Sequence, residues 1–136
     1  VTDDHLRVAG IVFAVGSALH VVDHLRRGQG SITETLYVLG NVALVMQVVV
    51  VVLILVGHRL APLAAGPSGV ALAIGFFAAH WLPEWGALSD PVWEVESLRW
   101  LSYLASAVEI LGASAIGVIG IAIVRERGLE SFVASP

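Results

Sequence analysis

Six ionisable residues lie inside or beside strongly apolar runs of this sequence: His20, Asp23, His24, His80, Glu84 and Glu109. Such a group inside a membrane span costs roughly 2.5–3.5 kcal/mol on insertion scales, so it demands a partner and marks a candidate site. In His20-Val21-Val22-Asp23-His24 the two imidazoles are i,i+4 and stack on one helix face. Asp23, at i+3, joins that face, and Gly16 and Phe13 continue it inward. A histidine pair at this spacing can chelate one metal, and a neighbouring carboxylate can ligate it or orient an imidazole. His80, from another apolar run, is the expected third imidazole, which gives His20, Asp23, His24 and His80 as the candidate ligand set. Imidazole with carboxylate suits zinc or non-haem iron, and also fits copper or nickel.

Two carboxylates are the candidates for moving a proton. Glu84 follows His80 by four residues, with Pro83 between them. Glu109 belongs to a helical face of small residues, Ser102, Ser106, Ala113, Gly117 and Gly120, which would let helices approach closely. It is expected either to bond Gln47 or Asn41 in a packing seam, or to act as a base, ligand or proton carrier in the interior.

Two other readings compete for the histidines. Arg26 and Arg27, at i+3 and i+4 from Asp23, could make the stretch a polar helix end with water access. Alternatively, His20 and His80 could ligate a haem b iron axially, flanked by Phe13, Phe76, Phe77 and Trp81. No C-x-x-C-H occurs, so such a haem would be non-covalent. No H-E-x-x-H occurs, and five histidines are too few for the multiple boxes of membrane desaturases. Cysteine is absent, which excludes disulfides, thiolate ligands and cysteine nucleophiles.

These residues need elements to hold them. Of 136 residues, 57% are hydrophobic and 13% charged, where a soluble domain carries about 25% charged residues. So small a globule cannot hide that much apolar surface, which points to an integral membrane protein. A spanning helix takes about 20 apolar residues. Four segments qualify, at about 6–25, 36–57, 67–82 and 98–124, and they form one expected all-α domain, an antiparallel four-transmembrane-helix bundle. The first run follows Thr2-Asp3-Asp4-His5 and lacks the basic start of a signal peptide.

The connection 83–97 and its borders hold all the tryptophans, Trp81, Trp85, Trp93 and Trp100, and read as interfacial. Within it, Ser89-Asp90-Pro91 reads as a helix start with Asp90 as N-cap, which would place Trp93 and Trp100 on one face. Arg99 is expected to pair with Glu94 or Glu96. His20, Asp23, His24, Asn41, His80 and Glu84 then fall toward one side of the membrane. Gln47 and Glu109 lie deeper, roughly 18 Å along their helices. His5 and His58 fall on the opposite side and are expected to be solvated.

Arginine placement, four on the side of the termini and three opposite, favours termini in the cytoplasm. Every basic residue is Arg, and with the Ala, Val and Gly content this hints at a GC-rich bacterial genome and hence a bacterial cytoplasmic membrane. The net charge of -4 and the lack of a basic tract exclude nucleic acid as an expected partner. The expected partners are the lipid bilayer, a lipid-soluble small molecule, and a second copy or a larger membrane complex. Three functions follow: a membrane metalloprotein acting on a lipid-soluble substrate, a haem electron-transfer bundle, or a non-catalytic binding, transport or assembly subunit.

Overall fold

The computed structural model describes residues 1–133, and among these every regular element is helical. Four helices are long and apolar enough to cross a membrane: α1 (Asp3–Arg27), α2 (Glu34–Leu55), α3 (Ala61–Trp81) and α4 (Arg99–Arg127). A short α5 (Glu130–Val133) follows α4, and its Phe132 is buried in the apolar core.

Local chemistry explains most boundaries. Thr2 caps α1 in a capping box with His5 as the reciprocal partner, which gives exposed His5 a structural role. At the other end Gly28 takes φ 82°, a conformation that glycine tolerates, and its N–H donates to the His24 carbonyl. Thr33 caps α2 by accepting from Leu36 N–H, while its hydroxyl donates to the Ala87 carbonyl and ties α2 to the α3–α4 connection.

Three expectations need correction. The third helix starts at Ala61, not near Pro67, so it has 21 residues. Pro62 occupies its first turn, where the missing N–H costs nothing, and Pro67 lies inside the helix. The fourth helix starts at Arg99, and Asp90 is not its N-cap. Instead Val92–Glu94 form a separate 3₁₀ turn, so Trp93 and Trp100 do not share a helix. Leu98 precedes α4 in a left-handed conformation, φ 48°, which is costly for a branched side chain. Finally, the Arg99 Nε donates to the Val95 carbonyl at 2.8 Å, in place of the expected carboxylate pair.

The small-residue face of α4 sits at the centre. Ser102, Ser106, Glu109, Ala113, Gly117 and Gly120 are all buried. A β-carbon on Gly69 would lie 2.5 Å from the Gly117 nitrogen and 2.6 Å from the Ala113 oxygen. One on Gly16 would lie 2.6 Å from the Glu109 nitrogen. Backbone therefore meets backbone at both the α3–α4 and the α1–α4 contacts. The matched pairs run in opposite senses (Gly16 with Glu109, then Phe13 with Gly112), so α4 is antiparallel to α1; Gly69 with Gly117 and Gly66 with Gly120 show the same for α3.

α2 is held differently. It packs less extensively than α1, α3 or α4, and its only fully buried residues are Gln47, Val50 and Ile54. Its N-terminal half stands away from its neighbours. A long series of apolar side chains faces outward, including Val38, Val42, Val45, Val49 and Val52 on α2 and Leu104, Leu111 and Val118 on α4.

Candidate metal centre

The i,i+4 spacing on α1 places His20 and His24 side by side, with 2.8 Å between their Nε2 atoms. Because α1 and α3 both run antiparallel to α4, their C-terminal ends lie together, and His80 arrives from α3 at the same level. Its ring centroid is 4.7 Å from that of His20 and 5.9 Å from that of His24. One ligand atom from each of the three histidines falls within 4.8 Å of the others. His20 and His80 are buried and His24 is half-buried.

The hydrogen bonds fix how the rings point. Arg27 Nη2 donates to His24 Nδ1 at 2.9 Å, so the His24 proton sits on Nε2 and is donated to His20 Nε2. The His20 proton then sits on Nδ1, 3.4 Å from Glu109 Oε2 though not aligned for a hydrogen bond. His80 Nδ1 lies 2.9 Å from the Asp90 carbonyl, to which it donates, and this leaves Nε2 free. An imidazole that donates one nitrogen to a carbonyl or carboxylate and offers the other is the arrangement of metal-ligating histidines.

The remaining candidates are placed as follows. Asp23 is 1% exposed but does not join the three imidazoles. Its Oδ1 accepts from Arg26 Nη2 at 2.8 Å, and its Oδ2 accepts from the Ser102 hydroxyl at 2.7 Å and lies 3.2 Å from Arg27 Nε. An aspartate near a helix C-terminus is unfavourable against the dipole, and the two arginines compensate. Glu84 is exposed on the connection after α3 and does not join the three imidazoles. Glu109 is 1% exposed and borders the cluster. It does not bond Asn41, whose amide donates to its own helix at the Tyr37 carbonyl. His58, like His5, is exposed.

Asp90 is the residue that sequence reasoning misread. It accepts two hydrogen bonds from Arg27, at 2.8 and 2.6 Å, across 63 positions of the chain. Its Oδ2 is also 3.5 Å from His80 Nδ1 and 3.9 Å from His24 Nε2. Burial opposes its charge, but the Arg27 guanidinium outweighs that and holds the carboxyl below its ordinary range. Arg27, expected to serve Asp23 at a polar helix end, lies 3.2 Å from Asp23 Oδ2 and reaches Asp90 as well. One signal was available: two arginines at one buried helix end need a second anion besides Asp23.

All three histidines and Glu109 line a cavity of about 700 Å³ where α2 stands away from α1 and α3. Its walls are mostly apolar, with Leu36, Leu44, Leu72 and Phe76 among them, and exposed Leu25, Leu39 and Trp85 border it. Three imidazoles could hold a divalent ion and leave a further coordination position facing the cavity. No protein-family model, curated protein or solved structure matches this chain.

Proposed function

We propose that this chain is a small integral membrane metalloprotein, an antiparallel four-helix bundle that holds zinc or iron on His20, His24 and His80 and acts on a lipid-soluble small molecule. The observation that carries this reading is the convergence of three imidazoles from two helices on the wall of an apolar cavity. Three protein ligands with an open position are the pattern of catalytic zinc sites. Nitrogens at about 2.0–2.1 Å from a tetrahedral ion lie roughly 3.3 Å apart, so rotamer adjustments of about an ångström would seat one. A divalent ion there would polarise a carbonyl or activate water.

The chain's own groups support that role. Glu109, which lines the cavity, is the proposed proton acceptor instead of exposed Glu84. Asp23 and Arg27 are positioning residues: Asp23 anchors both arginines, and Arg27 joins the histidine end of α1 to Asp90 and so to His80. Ligation through His24 Nε2 requires that nitrogen to lose its proton. If the proton moves to Nδ1, Arg27 Nη2 must withdraw from that atom, while Asp23 and Asp90 still hold the guanidinium.

The outward apolar faces of all four helices support a bilayer as the surrounding solvent. The arginine bias supports termini in the cytoplasm, and the composition supports a bacterial membrane. The haem reading is disfavoured by the 4.7 Å between the His20 and His80 centroids, a direct ring contact with no room for a porphyrin between them.

Elemental analysis of the purified chain, with an absorption spectrum of the same sample, tests the reading. One ion per chain, lost in the His20→Ala/His80→Ala double variant, is expected. A Soret band, or metal retained in that variant, would overturn it.

A further inference from the structure

One buried acceptor on the cavity wall, Gln47 Oε1, has no protein hydrogen-bond partner, and its residue is 5% exposed. The carboxyl of Glu109 has the Ser17 hydroxyl as its hydrogen-bonding neighbour. Buried polar atoms almost always have a partner, so an orphan acceptor facing a cavity calls for a ligand that donates. Helix register puts Gln47 and Glu109 at one level. Gly10 opposes Ile54, so seven residues further along α1, Ser17 lies level with Gln47; Gly16, one residue earlier, opposes Glu109. Gln47 is also the innermost α2 residue on the cavity wall, so its Oε1 marks the deep end below the histidines.

The space beside it is kept open. Gly40 and Gly75 line the cavity, and a β-carbon on either would meet no heavy atom within 4 Å. The walls around these glycines are apolar, with Leu36, Leu39, Leu44 and Phe76. A volume of about 700 Å³ is that of a site for a single small ligand.

From this geometry we infer that the cavity binds a neutral hydroxylated amphiphile, with a hydroxyl hydrogen donated to Gln47 Oε1 and an apolar chain along α2. The choice of a neutral head over an ammonium rests on the metal reading, because a divalent ion on the histidines repels a cation. Gln47 then determines specificity for the head group.

A brominated long-chain 1,2-diol tests this, because Trp85 lines the cavity and bromine quenches tryptophan fluorescence. The zinc-treated full chain in nanodiscs is titrated with the diol, its dimethyl ether and the matching long-chain amine. The diol is expected to bind about tenfold more tightly than the ether, the worth of a hydrogen bond to a buried acceptor. That preference should collapse in Gln47→Leu, which replaces an unpartnered polar group by an apolar one of similar size. Gly75→Leu, which fills the cavity, should remove the saturable part of the quenching by diol and ether alike. Equal binding of diol and ether, preference for the amine, an undiminished preference in Gln47→Leu, or unchanged quenching in Gly75→Leu would each overturn the inference. Metal content measured on the same samples separates the two readings. Bound zinc without a diol preference removes this inference alone; a diol preference in a chain that takes up no metal removes the metal reading alone.

Discussion

Replacing Asp23 by Asn distinguishes a charge clamp from a metal ligand. Asn keeps the shape of the side chain but removes the charge and puts an N–H₂ where one of the oxygens accepted. Those oxygens take hydrogen bonds from Arg26 at 2.8 Å and Ser102 at 2.7 Å, with Arg27 Nε 3.2 Å away. The pairs are desolvated: the side chains of Asp23, Arg27 and Arg26 are 2%, 9% and 22% exposed. Removing one partner of a buried ion pair costs about 3–5 kcal/mol. Arg27 keeps Asp90 and Arg26 keeps the Ser97 carbonyl, so the lower end, about 3 kcal/mol, is expected. Ser102→Ala, which removes one neutral donor to the carboxylate, should cost about 1–2 kcal/mol, and the two losses should be non-additive because they share one bond. Reversible unfolding by a denaturing detergent in mixed micelles measures both. The folded fraction of Asp23→Asn should still bind one metal per chain. An Asp23→Asn protein as stable as the parent but devoid of metal would refute the clamp and restore Asp23 as a ligand.

Two further outcomes follow from packing and charge. Gly69→Ala should destabilise by about 1–3 kcal/mol, since its β-carbon meets α4 backbone that cannot yield without moving a helix. Gly75→Ala, with open space around it, should instead stabilise by up to about 1 kcal/mol, and the same unfolding assay reads both signs. Asp90 has its carboxyl held below the ordinary range, so the stability it contributes is fully present above that range and is lost only as pH falls through the lower, folded value. Between pH 7 and pH 5 the Arg27–Asp90 clamp should therefore stay intact. Asp90→Asn should be less stable at both pH values by a constant amount, and a penalty that vanishes by pH 5 would show that the clamp had already titrated.

Much of this arrangement is local and was legible in the sequence. The four long helices follow from apolar runs, His20 and His24 meet because i,i+4 positions stack, and the buried face of Glu109 follows from spacings of three and four. Their shared level with His80 follows from an alternating direction of helices. What escaped is non-local or depends on which of two local signals prevails. Ser89-Asp90-Pro91 carries every mark of a helix start, yet the aspartate is taken by a guanidinium 63 residues away, and no spacing rule encodes that pair. Pro67 opens the expected third span, but the helix starts at Ala61 with Pro62 in its first turn and continues through Pro67. The cavity was not legible either, because it arises where α2 fails to pack, and apolar residues facing a void look the same in sequence as those facing a neighbour.

X-ray absorption at the zinc edge of the metal-loaded chain bears most directly on the proposed centre. Three imidazole nitrogens at about 2.0–2.1 Å, with one oxygen as a fourth ligand, are predicted. Two imidazoles or fewer, or a shell dominated by carboxylate oxygen, would contradict the His20, His24 and His80 centre.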